Sequence, residues 1–500
     1  MSRRFRRCDS VPWLATIVLL SVSATTSDAA PRVRPNIKSL DASSQAIQDF
    51  LYAFDKLGQK PATDMDSLAI LIRLHNRGPL PNGQMGACVH GDQHFLPWHR
   101  LLLFEFERAL RESDPPRTAN VTLPYWNFME GQPTGHLFPP IFEDPTSPLW
   151  IRRRLQPIAS PGVTPLSPAT IAALEADREL KAGEDERGFL MGLGNYADFG
   201  GPDDDSGLLE VRSHNYMHTW VGHGANLAGQ PSGDMSTDVT AARDPIFWCY
   251  HGYIDLLWDE WQQRRNARSD TAAPDLLPGD LDHSFTQFKN PKTVRQLLNV
   301  EDDLDYKYEG PTPPVAPPVT PFVQEVVQLP MAAAAAGATS AAKTFKLPES
   351  TWRRPADEKP LAGLQLQLDE IEAPQDRSWQ VEFFVHPENV EFKPQDPQFR
   401  KQYFAGYAVK WQHAEHVEGT EHATGHEHQA RAPRMAVPIR PDFLRKMQAS
   451  DAPWVVSPNV EVIAPAGDEV QPDQPTAKAA AEPAPITYSG VKMTVRVRNE

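Results

Sequence analysis

Sixteen histidines occur in the 500-residue sequence, and six of them stand where their spacing suits a transition metal. His214 and His218 are four residues apart, so on a helix both rings leave one face and can grip a single ion. Such a pair alone is common by chance. His251 lies on a separate aromatic-rich stretch, where a core imidazole satisfied by a backbone carbonyl is the ordinary alternative; with His214 and His218 it makes a three-nitrogen set drawn from two helices. Another group follows Cys88 in the run Cys88-Val89-His90-Gly91-Asp92-Gln93-His94-Phe95-Leu96-Pro97-Trp98-His99. One continuous helix would point His90 and His99 to opposite sides, about two and a half turns apart. His90 therefore belongs on a loop entering a helix at Pro97, and His75, at the end of the preceding periodic stretch, can supply a third ring. His94 can approach the same ion or sit beside it near the surface, and the second placement is preferred. Neutral imidazoles without carboxylate or thiolate suit copper rather than calcium or magnesium, and ligand type alone leaves zinc open. The His-Glu-x-x-His motif of zinc hydrolases is absent from the sequence.

Five helices are predicted, and four of them carry the histidines of interest. Residues 43–57 carry Ile47, Phe50, Leu51 and Phe54 at helical spacing, and residues 64–75 repeat this with Leu68, Leu71 and His75 before Gly78. Residues 97–113 place His99, Leu103, Phe106 and Leu110 on one face, with Pro97 suited to the first turn. A short helix carries residues 214–221. Asp244 and Pro245 read as N-cap and first position of a fifth helix ending near Arg265. Beyond an acidic, irregular stretch, residues 311–343 are rich in proline and then alanine, and the domain boundary is placed there. Short β-like runs at 364–368, 379–385, 403–411, 455–463 and 491–497 then predict an antiparallel β-sandwich. The fold class expected is α+β, a mainly α-helical bundle followed by this sandwich.

The chain carries 65 Asp plus Glu against 49 Lys plus Arg, a formal net charge of -16. That potential repels nucleic acid and anionic membrane and favours a small, uncharged partner. Arginines at 3, 4, 6 and 7, an apolar run at 11–22 and small residues before Pro31 read as a signal peptide over residues 1–30. The opening is compatible with a twin-arginine or a general secretory route, and the expected location is exported, periplasmic or secreted. Cys8 leaves with that signal, so Cys88 and Cys249 remain and a disulfide framework is excluded.

The stretches Phe95-Leu96-Pro97-Trp98-His99-Arg100, His214-Asn215-Tyr216-Met217-His218 and Asp244-Pro245-Ile246-Phe247-Trp248-Cys249-Tyr250-His251 resemble the two copper-binding signatures of the tyrosinase and polyphenol oxidase family. Residues 281–308, Phe404-Ala405-Gly406 and Ser489-Gly490-Val491-Lys492 resemble the middle segment and C-terminal domain of plant-type polyphenol oxidases. The resemblance implies a dicopper catalytic domain at 31–270, a plant-oxidase-like middle segment at 271–310, a linker at 311–343 and a covering β-sandwich at 344–500. It implies two copper ions in a dinuclear type 3 centre, one on His75, His90 and His99, the other on His214, His218 and His251. The family often has two adjacent histidines at the last ligand; Tyr250 replaces the first of them here.

The activity so implied is ortho-hydroxylation of monophenols and oxidation of o-diphenols to o-quinones, with a small phenol and molecular oxygen as partners. A catechol oxidase without monophenol hydroxylation and a hemocyanin-like oxygen carrier are the alternatives. The resemblance also implies a thioether joining Cys88 to His90, against the commoner fate of a buried free thiol. It implies that the C-terminal region covers the centre and keeps the enzyme latent. Glu210 lies four residues before His214, and Asn215 follows that ligand; a Glu and an Asn at matching family positions hold a water that takes the phenol's proton. The stretch 235–242, where a bulky gate residue is expected in catechol-only relatives, has no aromatic, which favours monophenol access. His413, His416, His422, His426 and His428 read as a solvated loop rather than a copper store.

Overall fold

A computed structural model describes residues 30–158, 163–222, 227, 233–316, 322–332, 343–353, 361–374, 377–411, 435–439, 441–463 and 486–498. The signal-like opening and the histidines from His413 to His428 lie outside the described residues.

The N-terminal half is helical. After the short strand β1 (Arg32–Arg34) come α1 (Gln45–Gln59), α2 (Leu68–His75) and α3 (Phe95–Arg111). Ser44 and Ser67 accept from Ile47 N and Ile70 N, capping α1 and α2 two to four residues inside the expected starts. Helix α3 starts at Phe95, earlier than the Pro97 start expected. Pro97 is its third residue, still among the positions whose N–H groups have no helical partner, so its missing donor costs nothing. Short helices α4 (Pro115–Thr118) and α5 (Pro140–Glu143) lead to α6 (Pro168–Ala182), α7 (Glu184–Met191) and α8 (Tyr196–Phe199). Then α9 (Asn215–Gly222) continues directly from a π-helical turn, Glu210–His214, and α10 (Ile246–Arg265) follows. Asp244 accepts from Ile246 N, as a cap does, and Asn266 in the left-handed conformation ends the helix.

Helix α10 is buried on nearly every face, the pattern of a central core helix. It meets α3 where Phe106 and Trp248 stack at 4.0 Å. Between them runs a buried charge network. Asp255 of α10 pairs with Arg100 of α3 and with Arg34 of β1, and accepts from Tyr306 and Tyr308 of the strand β2 (Tyr306–Tyr308). This network fastens the N-terminal strand and the middle segment onto the two helices that carry His99 and His251. Losing Asp255 would leave the buried Arg100 guanidinium without its carboxylate, at a cost of about 3–5 kcal/mol, whereas Arg34 keeps its pair with Glu107 at 2.6 Å.

The C-terminal region holds β3 (Phe322–Gln328), β4 (Phe345–Lys346), α11 (Glu349–Trp352), β5 (Leu361–Asp369), β6 (Trp379–Pro387), α12 (Pro397–Tyr403), β7 (Phe404–Lys410), β8 (Ala436–Ile439), α13 (Pro441–Gln448), β9 (Trp454–Val462) and β10 (Gly490–Arg498). They form two four-stranded antiparallel sheets, ordered β3-β10-β5-β8 and β4-β9-β6-β7. The mixed α+β class is thus as expected. Part of the stretch expected to be linker is strand: Phe322–Gln328 pairs with β10. As an edge strand it needs only one bonded neighbour and keeps Val323 and Val326 exposed, so it lacks the alternation of a half-buried strand. Tyr403 closes α12, which Asp396 caps at its start, rather than opening β7. Among the described residues, no helix is long and apolar enough to cross a membrane.

Candidate metal centre

The structure brings all six expected histidines together inside the helical half. His75 is the last residue of α2, His90 lies on the loop before α3, and His99 is in that helix's second turn. Their rings lie 5.1 to 5.9 Å apart, centre to centre. His214 closes the π-helical turn, His218 is on α9 and His251 on α10, with rings 4.6 to 5.5 Å apart. In each set, ligand-type atoms lie within 4.8 Å of one another. The two sets face each other: His99 and His251 are near-parallel at 4.6 Å, and His90 is 5.5 Å from His214.

Oxygen acceptors turn several rings the same way. His99 Nδ1 donates to Phe95 O at 2.8 Å, His218 Nδ1 to Met235 O at 3.1 Å and His214 Nδ1 to Asn215 Oδ1 at 2.9 Å. Such bonds fix the tautomer that leaves Nε2 with a lone pair, the usual arrangement behind a metal-binding histidine. Nε2 of His75 and His218 and both ring nitrogens of His251 are buried with no hydrogen-bond partner. Unpaired buried groups of this kind cost about 1–3 kcal/mol each, and a metal ion accounts for one nitrogen of each ring. Burial holds His75 at about 4 and pushes His99, His218 and His251 well below the usual histidine value, so these rings are neutral and able to ligate. The donor set and its lone pairs therefore fit two copper ions.

Cys88 is also drawn in. Its Sγ is 3.2 Å from His90 Nδ1 and 3.8 Å from His90 Nε2, which puts it near the carbon between those nitrogens. Burial raises the thiol well above its ordinary value, so it is a poor thiolate ligand. Cys249 is buried and free in the core of α10, without a neighbour of this kind. His94, at the N-cap of α3, turns away from the first set and stacks on His283 at 4.3 Å.

Glu210 sits differently from the simple helical expectation. The π-helical turn breaks the four-residue spacing, and its carboxylate accepts from Gly91 N at 2.9 and 3.2 Å, beside the loop of His90. Burial pushes this carboxyl up to about 8. Asn215 accepts from the His214 ring and donates Nδ2 to Val409 O of β7 at 2.9 Å. Tyr250, in place of a histidine, donates to His214 O at 2.8 Å and keeps a hydrogen bond to this set.

One aromatic at the centre comes from the C-terminal region, outside the stretches that carry the ligands. Trp411, just beyond β7, stacks on His218 at 3.8 Å and lies 5.4 Å from His90 and 5.8 Å from His214. Its Nε1 donates to Ser236 O at 2.8 Å. Although residues 235–242 lack an aromatic, a bulky ring does lie across both sets, so the argument from that stretch for monophenol access does not stand. A lone Trp after a strand carries no signal in sequence that would have placed it there.

Around Trp411 the C-terminal sheets are bound to α6 and α9. Lys181 of α6 pairs with Glu382 of β6 at 2.9 Å, Arg400 of α12 bridges Glu382 and Asp177, and Tyr407 OH donates to Lys181 O. Burial alone would raise Glu382, but Lys181 and Arg400 outweigh it and hold the group at about 2.

Two opposed histidine triplets inside a helical core define a dinuclear metal protein of the type 3 kind. A family model described as the common central domain of tyrosinase matches residues 63–264. A tyrosinase from Streptomyces antibioticus is 33% identical over 216 residues, 39% of this chain and 71% of that protein. The chain belongs to the tyrosinase family, whose cofactor is a dinuclear copper centre. The tyrosinase HcTyr1 of Hahella sp. (strain CCB-MM4) is 33% identical over 199 residues, 36% of this chain, and the match spans only 38% of that relative's length. The structure of latent apple tyrosinase superposes with a TM-score of 0.59 at 19% identity, covering 93% of this chain and 98% of that one, a likeness of fold.

Proposed function

We propose that this chain is a copper-dependent phenol oxidase that hydroxylates monophenols at the ortho position and oxidises o-diphenols to o-quinones with molecular oxygen. The observation that supports this most is the pair of facing histidine triplets with inward, unpartnered nitrogens on His75, His218 and His251. His75, His90 and His99 would hold one ion and His214, His218 and His251 the other. When bound, the two coppers supply the electrons that oxygen accepts and the oxidising equivalents the phenol receives.

The protein's own contribution is orientation and proton handling. A phenol with a pKa near 10 must lose its proton on binding, and a carboxyl raised by burial is a better base than an exposed one once ionised. Glu210 has that character, and nearby metal charge favours its ionised form. Asn215 aligns His214 beside it. Cys88 and His90 form a thioether: the new Sγ–C bond replaces the thiol hydrogen and one ring C–H hydrogen, and oxygen takes the two electrons and two protons. Residues 344–500 act as a cover whose Trp411 occupies the face of His218 where an aromatic substrate would lie. The division into 31–270, 271–310, 311–343 and 344–500, with removal of an exported leader at 1–30, belongs to the same reading.

A catechol oxidase without monophenol hydroxylation is the alternative, and Trp411 over both sets is the observation that favours it. Oxygen uptake by the copper-loaded protein, before and after proteolysis in the 311–343 stretch, compares a monophenol with its catechol. Turnover of both supports the proposal, and turnover of catechol alone supports the alternative. Reversible oxygen binding with no quinone would make the protein an oxygen carrier.

A further inference from the structure

Among the described residues, one more group of metal-ligating side chains converges outside the two histidine triplets. We propose that His94, Asp280 and His283 form a mononuclear site for a divalent ion of the zinc or copper(II) type, separate from the dinuclear centre.

The ligand-type atoms of these three residues lie within 4.8 Å of one another, close to the spacing of groups about 2.0–2.2 Å from a single ion. Their chemistry is two imidazoles and one carboxylate, a donor set suited to borderline divalent metals and unlike the oxygen-only sets of calcium or magnesium. His94 Nε2 is buried and has no hydrogen-bond partner. On its other side the ring faces Asp92, with Nδ1 3.6 Å from a carboxylate oxygen that also accepts from His94 N. A carboxylate behind the ring favours a proton on Nδ1 and a lone pair on Nε2, the order found behind metal-binding histidines.

The two halves of the site are already held in place. Asp280 Oδ1 accepts from the backbone N–H groups of Asp282 and His283, leaving Oδ2 4.0 Å from His283 Nδ1. Gln93 accepts from Gly279 N and donates to Asp203 at 2.7 Å, pinning the segment before Asp280 to the residue before His94. Phe285 closes one side, 5.0 Å from His283 and 6.2 Å from His94. The His94 and Asp280 side chains are 12% and 56% exposed, so an ion enters from the Asp280 side and water completes its shell. Bound metal would clip the middle segment onto the start of α3, five residues ahead of His99.

The test uses the copper-loaded full chain with His413, His416, His422, His426 and His428 replaced together by alanine, so that they cannot bind the probe. Zinc ion is titrated in by calorimetry, with zinc and copper counted after dialysis. The expected result is one zinc per chain at unchanged copper and a raised melting temperature. His283→Ala and Asp280→Asn are each expected to lose that zinc and the thermal shift while keeping their copper. Absence of bound zinc, zinc that persists in both variants, or zinc gained only as copper is lost would each overturn the proposal. Because copper is counted separately, failure here is distinguishable from failure of the dicopper reading.

Discussion

The second histidine set and the first are supported in different ways. His214, His218 and His251 come from two helices and the turn joined to one of them, so helical backbone fixes where each ring starts. His75 and His99 also sit on helices, but His90 is on a loop, and its neighbours take over the task that a helix performs for the others. The Cys88 sulfur lies against its ring, and Glu210 holds the next backbone N–H. The C-terminal region is distributed unequally as well: Trp411 stacks on His218 and β7 bonds to Asn215, so the second set takes more of its contacts. A loop-borne ligand needs side-chain ties, and a helix-borne one leaves room for regulation from outside.

The largest effect should follow loss of a helical ligand. His218→Ala is expected to halve bound copper and reduce phenol-dependent oxygen uptake by more than the roughly 10–100-fold that orienting groups cost. Metal analysis showing a full complement would break the assignment of His218 to the second set.

Next comes the loop's own tie. Cys88→Ser is expected to weaken copper at the first set by about 10–100-fold, as loss of an orienting partner does, while the second set keeps its metal. In the unsubstituted protein, the peptide carrying both residues should be two hydrogens lighter than the unlinked mass and resist alkylation. An alkylatable Cys88 after copper loading and turnover would remove the thioether.

The cover provides a pH-dependent comparison. Glu382 is depressed from the ordinary 4.5 to about 2, so its contribution to docking is complete above pH 4.5 and disappears as pH falls through about 2. Acidification across that window should expose the second set first, read as the part of solute quenching of tryptophan fluorescence that is absent in Trp411→Phe. Glu382→Gln should shift release to higher pH, and an unchanged profile would exclude this carboxylate as the link.

The smallest effect sharpens the contrast. Asn215 holds the His214 ring at 2.9 Å, while Asn76 lies 3.4 Å from His75 Nδ1. Asn215→Gly should lower monophenol hydroxylation more than catechol oxidation, and Asn76→Ala should lower both by only a few-fold, in keeping with a long hydrogen bond. Equal losses in Asn215→Gly on the two substrates would leave Asn215 a merely structural residue.

Much of this centre is legible in the sequence because ligands four residues apart on apolar-periodic helices declare both the helix and the face. The loop placement of His90 was also accessible, since nine residues to His99 cannot be spanned on one face. The exact offset of Glu210 from His214 is not legible, because a π-helical turn has no distinctive composition and spacing arguments assume an α-helix. Strand β3 was hidden for a related reason: an edge strand among prolines does not show half-buried alternation. Trp411 is illegible altogether, since its position depends on how the helical half and the C-terminal sheets meet, and that meeting is specified by Lys181 pairing with Glu382, and Asp177 with Arg400, about two hundred residues further along the chain.

The π-helical turn has a consequence for chain length. Such a turn holds one residue more than an α-helix needs for the same advance, so its hydrogen bonds span five residues rather than four. Losing a single residue between Glu210 and His214 would let it close into an ordinary helix. His214 and His218 would keep their relation on α9, whereas the residue presented to Gly91 would be turned by about 100°. The register of the metal ligands and that of the acid are therefore separable by a deletion of one codon.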